Sequence, residues 1–134
     1  MASLSVFTFQ MPLLAGGLPD AEQITGVNWK WQQTRYNNGQ DIAPADPSVY
    51  VLTFNTDGTL NLQADCNRGV GKYSAEKNNI TIEVTYTTRA MCPPESMGET
   101  FVKDLNAAAI LFFSREGDLF LELQYDSGTM QFSR

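Results

Sequence analysis

The feature that most constrains this chain is a two-residue periodicity of apolar side chains, repeated in short runs. Trp29 and Trp31 alternate with Asn28, Lys30 and Gln32, and Tyr50, Leu52 and Phe54 follow. Leu60, Leu62, Ala64 and Cys66 form the next set, then Ile80, Ile82, Val84 and Tyr86, then Leu119, Leu121, Leu123 and Tyr125, and finally Met130 and Phe132. A helix repeats every ~3.6 residues and scatters such a set around its axis, whereas a strand sends alternate residues to opposite faces. Each run therefore reads as an antiparallel strand with one face on a shared core, and Cys66 is expected to point inward with Leu60, Leu62 and Ala64. Trp29, Trp31, Tyr36, Tyr50, Phe54, Tyr73 and Tyr86 read as core filling. Asn37-Asn38-Gly39, Asp57-Gly58, Asn78-Asn79, Gly117-Asp118 and Ser127-Gly128 supply turn chemistry between the runs, which makes a hairpin-linked meander the natural topology. Asp46-Pro47 marks residues 39–48 as an irregular surface loop.

One segment departs from this rhythm. Met97, Phe101, Leu105 and Ala108 are spaced for the apolar stripe of a helix, and Glu99 and Lys103 form an i, i+4 pair. Pro94 suits a first helical turn and Glu95 the positive end of the helix dipole. The expected fold is thus mainly β: a small antiparallel barrel or curved sheet with one α-helix at about residues 95–108.

With 134 residues, 43% hydrophobic and 18% charged, the chain has the composition of one globular domain. Residues 1–22 read as an N-terminal extension and residues 23–134 as the body. Phe7, Phe9 and Met11 alternate with Thr8 and Gln10, so the extension is expected to hold an edge strand followed by a Gly- and Pro-marked linker, an arm that suits self-association. The net charge of −6 disfavours nucleic acid, because phosphate recognition needs a basic footprint. No apolar run approaches the ~18 residues of a transmembrane segment. The absence of histidine removes Ser-His-Asp and Cys-His catalysis and histidine metal sites together. No metal or cofactor is expected. Asp126-Ser127-Gly128 matches the aspartic-protease triplet, but a hairpin turn explains it and no second copy in that order is present.

The two cysteines, Cys66 and Cys92, are too few for a thiolate zinc site and too widely spaced for a CxxC redox pair. A disulfide between them is the expectation, with two buried free thiols as the alternative. A disulfide requires an oxidising compartment, so the protein is expected to be extracytoplasmic (periplasm, envelope or secreted), with its signal peptide absent from this chain, and a cytosolic protein is the alternative.

At these cysteines the chain resembles a known family. Leu52-Thr53-Phe54, Asp57-Gly58-Thr59-Leu60 and Asp65-Cys66-Asn67-Arg68-Gly69-Val70-Gly71-Lys72-Tyr73 are similar to the first signature of the META/HslJ-like domains. Thr87-Thr88-Arg89-Ala90-Met91-Cys92-Pro93-Pro94-Glu95, leading into Glu99-Thr100-Phe101 and Leu105, is similar to the second. Trp29 resembles the family's early tryptophan. Asp65 stands where the family usually has glycine, and Ala90-Met91 inverts the common Met-Ala order. The resemblance implies a lipocalin-like barrel with one helix and a stress- or envelope-associated protein with no settled catalytic activity.

Asn67, Arg68, Arg89 and Glu95 are the polar candidates embedded in these signatures. Asn67 suits backbone bonding in a turn, Arg89 suits pairing with Glu95 or covering exposed carbonyls, and Asn67, Arg68 and Arg89 together suit a ligand or partner patch. Gly69 and Gly71 permit close approach or a strand bend. The expected function is a non-enzymatic accessory or interaction module with a protein partner. The alternatives are a carrier of a small apolar ligand in the barrel and a carboxylate-based hydrolase.

Overall fold

The computed structural model describes residues 21–134. The expected strand over Phe7, Phe9 and Met11 lies outside the described residues. In chain order the elements are α1 (Ala21–Ile24), β1 (Trp29–Tyr36), β2 (Asp41–Ile42), β3 (Tyr50–Phe54), β4 (Thr59–Ala64), β5 (Asn67–Glu76), β6 (Asn79–Thr87), α2 (Gly98–Asn106), β7 (Ala108–Phe113), β8 (Leu119–Leu123) and β9 (Gly128–Ser133).

Among the described residues these strands pair antiparallel throughout, a single parallel bridge joins Thr25 to Phe54 outside them, and β1 pairs with both β3 and β9. Eight strands, β1 and β3 to β9, therefore close a barrel, while the two-residue β2 extends from β1 as a short flap. Closure removes the open sheet edges that would otherwise template aggregation. The mainly-β, lipocalin-like barrel with a helix is the observed architecture.

The seam is weakest between β6 and β7, which pair at Asn79 and Ile110 alone. Helix α2 packs across this gap, and Asn106 at its end accepts the Val84 N–H at 2.8 Å through Oδ1, standing in for a missing strand neighbour. Phe101 and Leu105 of α2 are fully buried. Phe101 stacks on Trp31 with ring centroids 5.2 Å apart and meets Tyr50 edge-on at 5.6 Å. Leu52, Phe54, Leu60, Leu119, Leu121, Met130 and Phe132 complete the interior, so side chains fill the barrel. Trp29 and Trp31 are buried with their indole N–H groups satisfied, by the Ile24 carbonyl and the Thr34 hydroxyl respectively.

The structure corrects the sequence reading at five places. The helix begins at Gly98, because Pro93 to Ser96 form a turn closed by the Ser96 N–H on the Pro93 carbonyl. It ends at Asn106, and Ala108 belongs to β7, where it pairs with Leu123. Cys66 is exposed, because β4 ends at Ala64 and Asp65 turns the chain with a φ of 61°. Tyr86 is 64% exposed: a bulge places Gly71 opposite Val84 but Val70 opposite Tyr86, and one extra residue inverts the inside–outside alternation beyond it. Tyr125 is 96% exposed because β8 stops at Leu123 and Tyr125 turns the chain in a left-handed conformation, at φ 60°.

Gly71 sits at that bulge for a steric reason. A Cβ there would lie 2.3 Å from the Glu83 carbonyl oxygen of the neighbouring strand.

Candidate functional site

The cysteine corner is built on the tight connection between β4 and β5. Ala64 pairs with Asn67, leaving Asp65 and Cys66 as the two turn residues. The Asp65 N–H donates to the Val49 carbonyl at 2.8 Å, which anchors the turn to the barrel. Asp65 adopts the left-handed conformation that glycine takes freely and that Asp tolerates better than most residues, which accounts for glycine being usual here. Cys66 and Cys92 are joined by a disulfide, with sulfurs 1.92 Å and Cα atoms 5.6 Å apart.

Asn67 follows immediately and grips the same loop. Its Nδ2 donates to the Ala90 carbonyl at 3.0 Å, and its Oδ1 accepts from the Ala90 N–H at 2.7 Å and from the Thr88 hydroxyl at 2.8 Å. Nδ2 also lies 3.3 Å from Cys92 Sγ. The Arg68 backbone completes the clamp, donating to the Thr88 hydroxyl and accepting from the Thr88 N–H. Downstream, the Met97 N–H donates to the buried Tyr50 hydroxyl at 2.9 Å, so both ends of the loop are tied to the wall.

These contacts shape an open cleft of about 710 Å³, lined by Asn67, Arg89, Cys92, Glu99, Thr100 and Lys103 among others. The structure thus brings Asn67 and Arg89 together beside Cys92. The side chains of Arg68 and Glu95 fall outside the cleft lining. Among the described residues the ion pairs join Arg35 to Asp41 and Lys72 to Glu83, so the pairing expected between Arg89 and Glu95 is not formed. Met91 stands 98% exposed on the loop.

A second constellation was not found by sequence reasoning. The Tyr36 hydroxyl, at the end of β1, donates to Oδ2 of Asp104 on α2. Burial raises the Asp104 carboxyl above the ordinary carboxylate range, while the Tyr36 hydrogen bond and the Lys103 ammonium pull it back in part. Burial likewise raises the Tyr36 phenol, and its hydrogen bond to Asp104 raises it further. The pair borders a recess of about 450 Å³ whose walls include Asn38, Lys103, Ala107, Leu123 and Ser127. One signal was available: Asp104 lies between Phe101 and Leu105 on the apolar stripe of the helix, where a carboxylate needs a partner. The partner, Tyr36, is 68 residues away and could not be read.

Among the described residues no group of three or more His, Cys, Asp or Glu side chains is placed to hold a metal ion. Among them also, no helix is long and apolar enough to cross a membrane.

The sequence pattern of the META domain family matches residues 22–134, spanning the whole barrel and both cysteines. The chain belongs to the META domain family. This META domain is similar in fold to a protein from Burkholderia xenovorans solved by NMR, with a TM-score of 0.68 at 18% identity over 99% of this chain and 94% of that one. It is also similar to a DUF4847 family protein from Bacteroides vulgatus ATCC 8482 solved by crystallography, with a TM-score of 0.60 at 16% identity over 84% of this chain and 94% of that one. At these identities the likeness is one of fold. No curated protein matches the chain.

Proposed function

We propose that this META domain protein is a non-enzymatic accessory module, associated with the envelope or the stress response, that works by binding a protein partner. The observation that carries this reading is the presentation of Met91. The disulfide and the Asn67 clamp hold a loop in one conformation, and that loop displays a fully exposed methionine beside Arg89. A methionine side chain is flexible and polarizable, which suits it to a surface that takes a partner. The hydrogen-bonding capacity of the corner holds backbone in place and activates no nucleophile. A surface disulfide agrees with an oxidising compartment. The apolar-carrier alternative has less support, because Trp31, Tyr50, Phe101 and Phe132 pack where such a ligand would sit.

The test compares wild type, Met91→Asp and Arg89→Glu as baits in extract of the native cell. A defined partner retained by wild type and lost by both variants at unchanged thermal stability supports the reading. Identical captures by all three sink it. So does substrate turnover by the purified protein that stops on Asp104→Asn.

A further inference from the structure

We infer that the loop from Thr88 to Pro94 inhibits a serine endopeptidase whose primary specificity pocket is apolar, with Met91 as the side chain that fills the pocket. The inference rests on the partner-binding reading and names the class of partner. Endopeptidases of this kind take a peptide as an added strand: backbone groups pair along the cleft, and one side chain enters a pocket beside the reacting carbonyl. A loop that competes with substrate therefore has to be extended, to keep its outward backbone groups unpaired, and to lift one side chain clear of the surface.

The loop meets all three conditions. Asn67 donates to the Ala90 carbonyl at 3.0 Å and accepts from the Ala90 N–H at 2.7 Å. Both backbone groups of a residue point the same way in an extended chain, and those of its neighbours point the opposite way. The Arg89 and Met91 groups thus face outward, and among the described residues none of them takes a hydrogen bond. Cys92 and Pro93 each precede a proline, which disfavours the helical region for both, and no residue from 88 to 94 has a positive φ. Met91 is 98% exposed, with Arg89, Ala90 and Pro93 exposed around it.

The supports on either side of Met91 separate an inhibitor from a substrate. Attack of the enzyme's serine oxygen on the Met91 carbonyl carbon forms an ester and breaks the bond to the Cys92 nitrogen, while the serine proton passes through the enzyme's histidine to that nitrogen. Cys92 is tied to Cys66 by the disulfide, and Ala90 is held by Asn67. Both sides of the break therefore stay fixed to the barrel. The freed amine remains against the acyl-enzyme, and the peptide bond re-forms faster than water removes the ester. The same supports lower the entropic cost of binding, because the loop is already ordered.

The test measures hydrolysis of chromogenic peptides by chymotrypsin, subtilisin and trypsin with the purified full chain added. Chymotrypsin or subtilisin should be inhibited with a Ki at or below about 1 μM, and trypsin, whose pocket holds an aspartate, should be spared. Met91→Asp should weaken inhibition by about tenfold or more, and Met91→Lys should transfer it to trypsin. Both variants replace an exposed side chain, so the fold is preserved. After reduction with dithiothreitol, mass spectrometry should find the Met91–Cys92 bond cut, whereas the oxidised chain stays whole through the assay. The proposal is overturned by no inhibition of chymotrypsin or subtilisin, by inhibition that ignores both Met91 variants, or by an oxidised chain cut at that bond as fast as the reduced one. Such a failure leaves the partner-binding reading to its own test, since capture from extract does not depend on the partner being a peptidase.

Discussion

Asn67 holds Ala90 from both sides of its peptide group, donating to the carbonyl at 3.0 Å and accepting from the N–H at 2.7 Å. One amide side chain thereby replaces the strand neighbour that Ala90 lacks. Asn67→Ala leaves these two backbone groups to water and releases Thr88 as well. The expected loss is about 2 kcal/mol in denaturant unfolding, together with faster hydrogen exchange at the Ala90 amide. Unchanged exchange at Ala90 would show that the disulfide alone sets the loop.

The disulfide closes a loop of 26 residues in sequence separation. On the chain-entropy model its reduction lowers stability by roughly 3.5 kcal/mol. Denatured, unreduced protein should show no free thiol on titration, and dithiothreitol should move the unfolding midpoint down. Two thiols in the unreduced sample would contradict the bond and remove the main support for an oxidising compartment.

Asp65 occupies a left-handed position, at φ 61°, where the family usually has glycine. Asp65→Gly relieves that strain at the cost of a more flexible unfolded chain, and the strain term is expected to win. The variant should gain about 0.5 to 1 kcal/mol with no change in fold. A loss of stability would mean that the carboxylate has a role in the turn beyond its backbone geometry.

The Asp104 carboxyl is raised by burial in the folded protein relative to its ordinary value of 3.8. The folded state therefore keeps its proton through a pH window in which the unfolded chain has released it. The sign follows: stability from this group is present at acid pH, falls as pH rises through the window, and is flat above the folded value. Asp104→Asn, which imitates the protonated form, should lose that slope. Wild type should thus stand highest relative to the variant at low pH and decline towards neutrality in denaturant midpoints. Tyr36→Phe removes a hydrogen bond that lowers the Asp104 value, so it should carry the window to higher pH. Parallel profiles for wild type and Asp104→Asn would show that the carboxyl is not desolvated.

The strands were legible where alternation was clean, as in Leu60-Leu62-Ala64 and Leu119-Leu121-Leu123, whose apolar members are all buried. Strand β7 was not. Ala108 to Phe113 is a continuous apolar run without a period, and Ala108 extended the helical stripe by one plausible step. Hydrogen-bonded pairing with β8 decides that segment, and pairing is a non-local property. Of the candidate site residues, Asn67 and Arg89 share the cleft beside Cys92, while the side chains of Arg68 and Glu95 do not line it.

By itself the sequence determined the class of structure: alternating strands, turn residues between them, one helix, two cysteines and no histidine. These follow from side-chain period and chemistry, which are local. Tertiary structure alone decided that β1 meets β9, that a bulge turns Tyr86 outward, and that Asp104 finds Tyr36. Each of these depends on register between segments far apart in the chain. Register is chosen by the packing of the closed barrel as a whole, because a slip of one residue exchanges the buried and exposed faces of an entire strand.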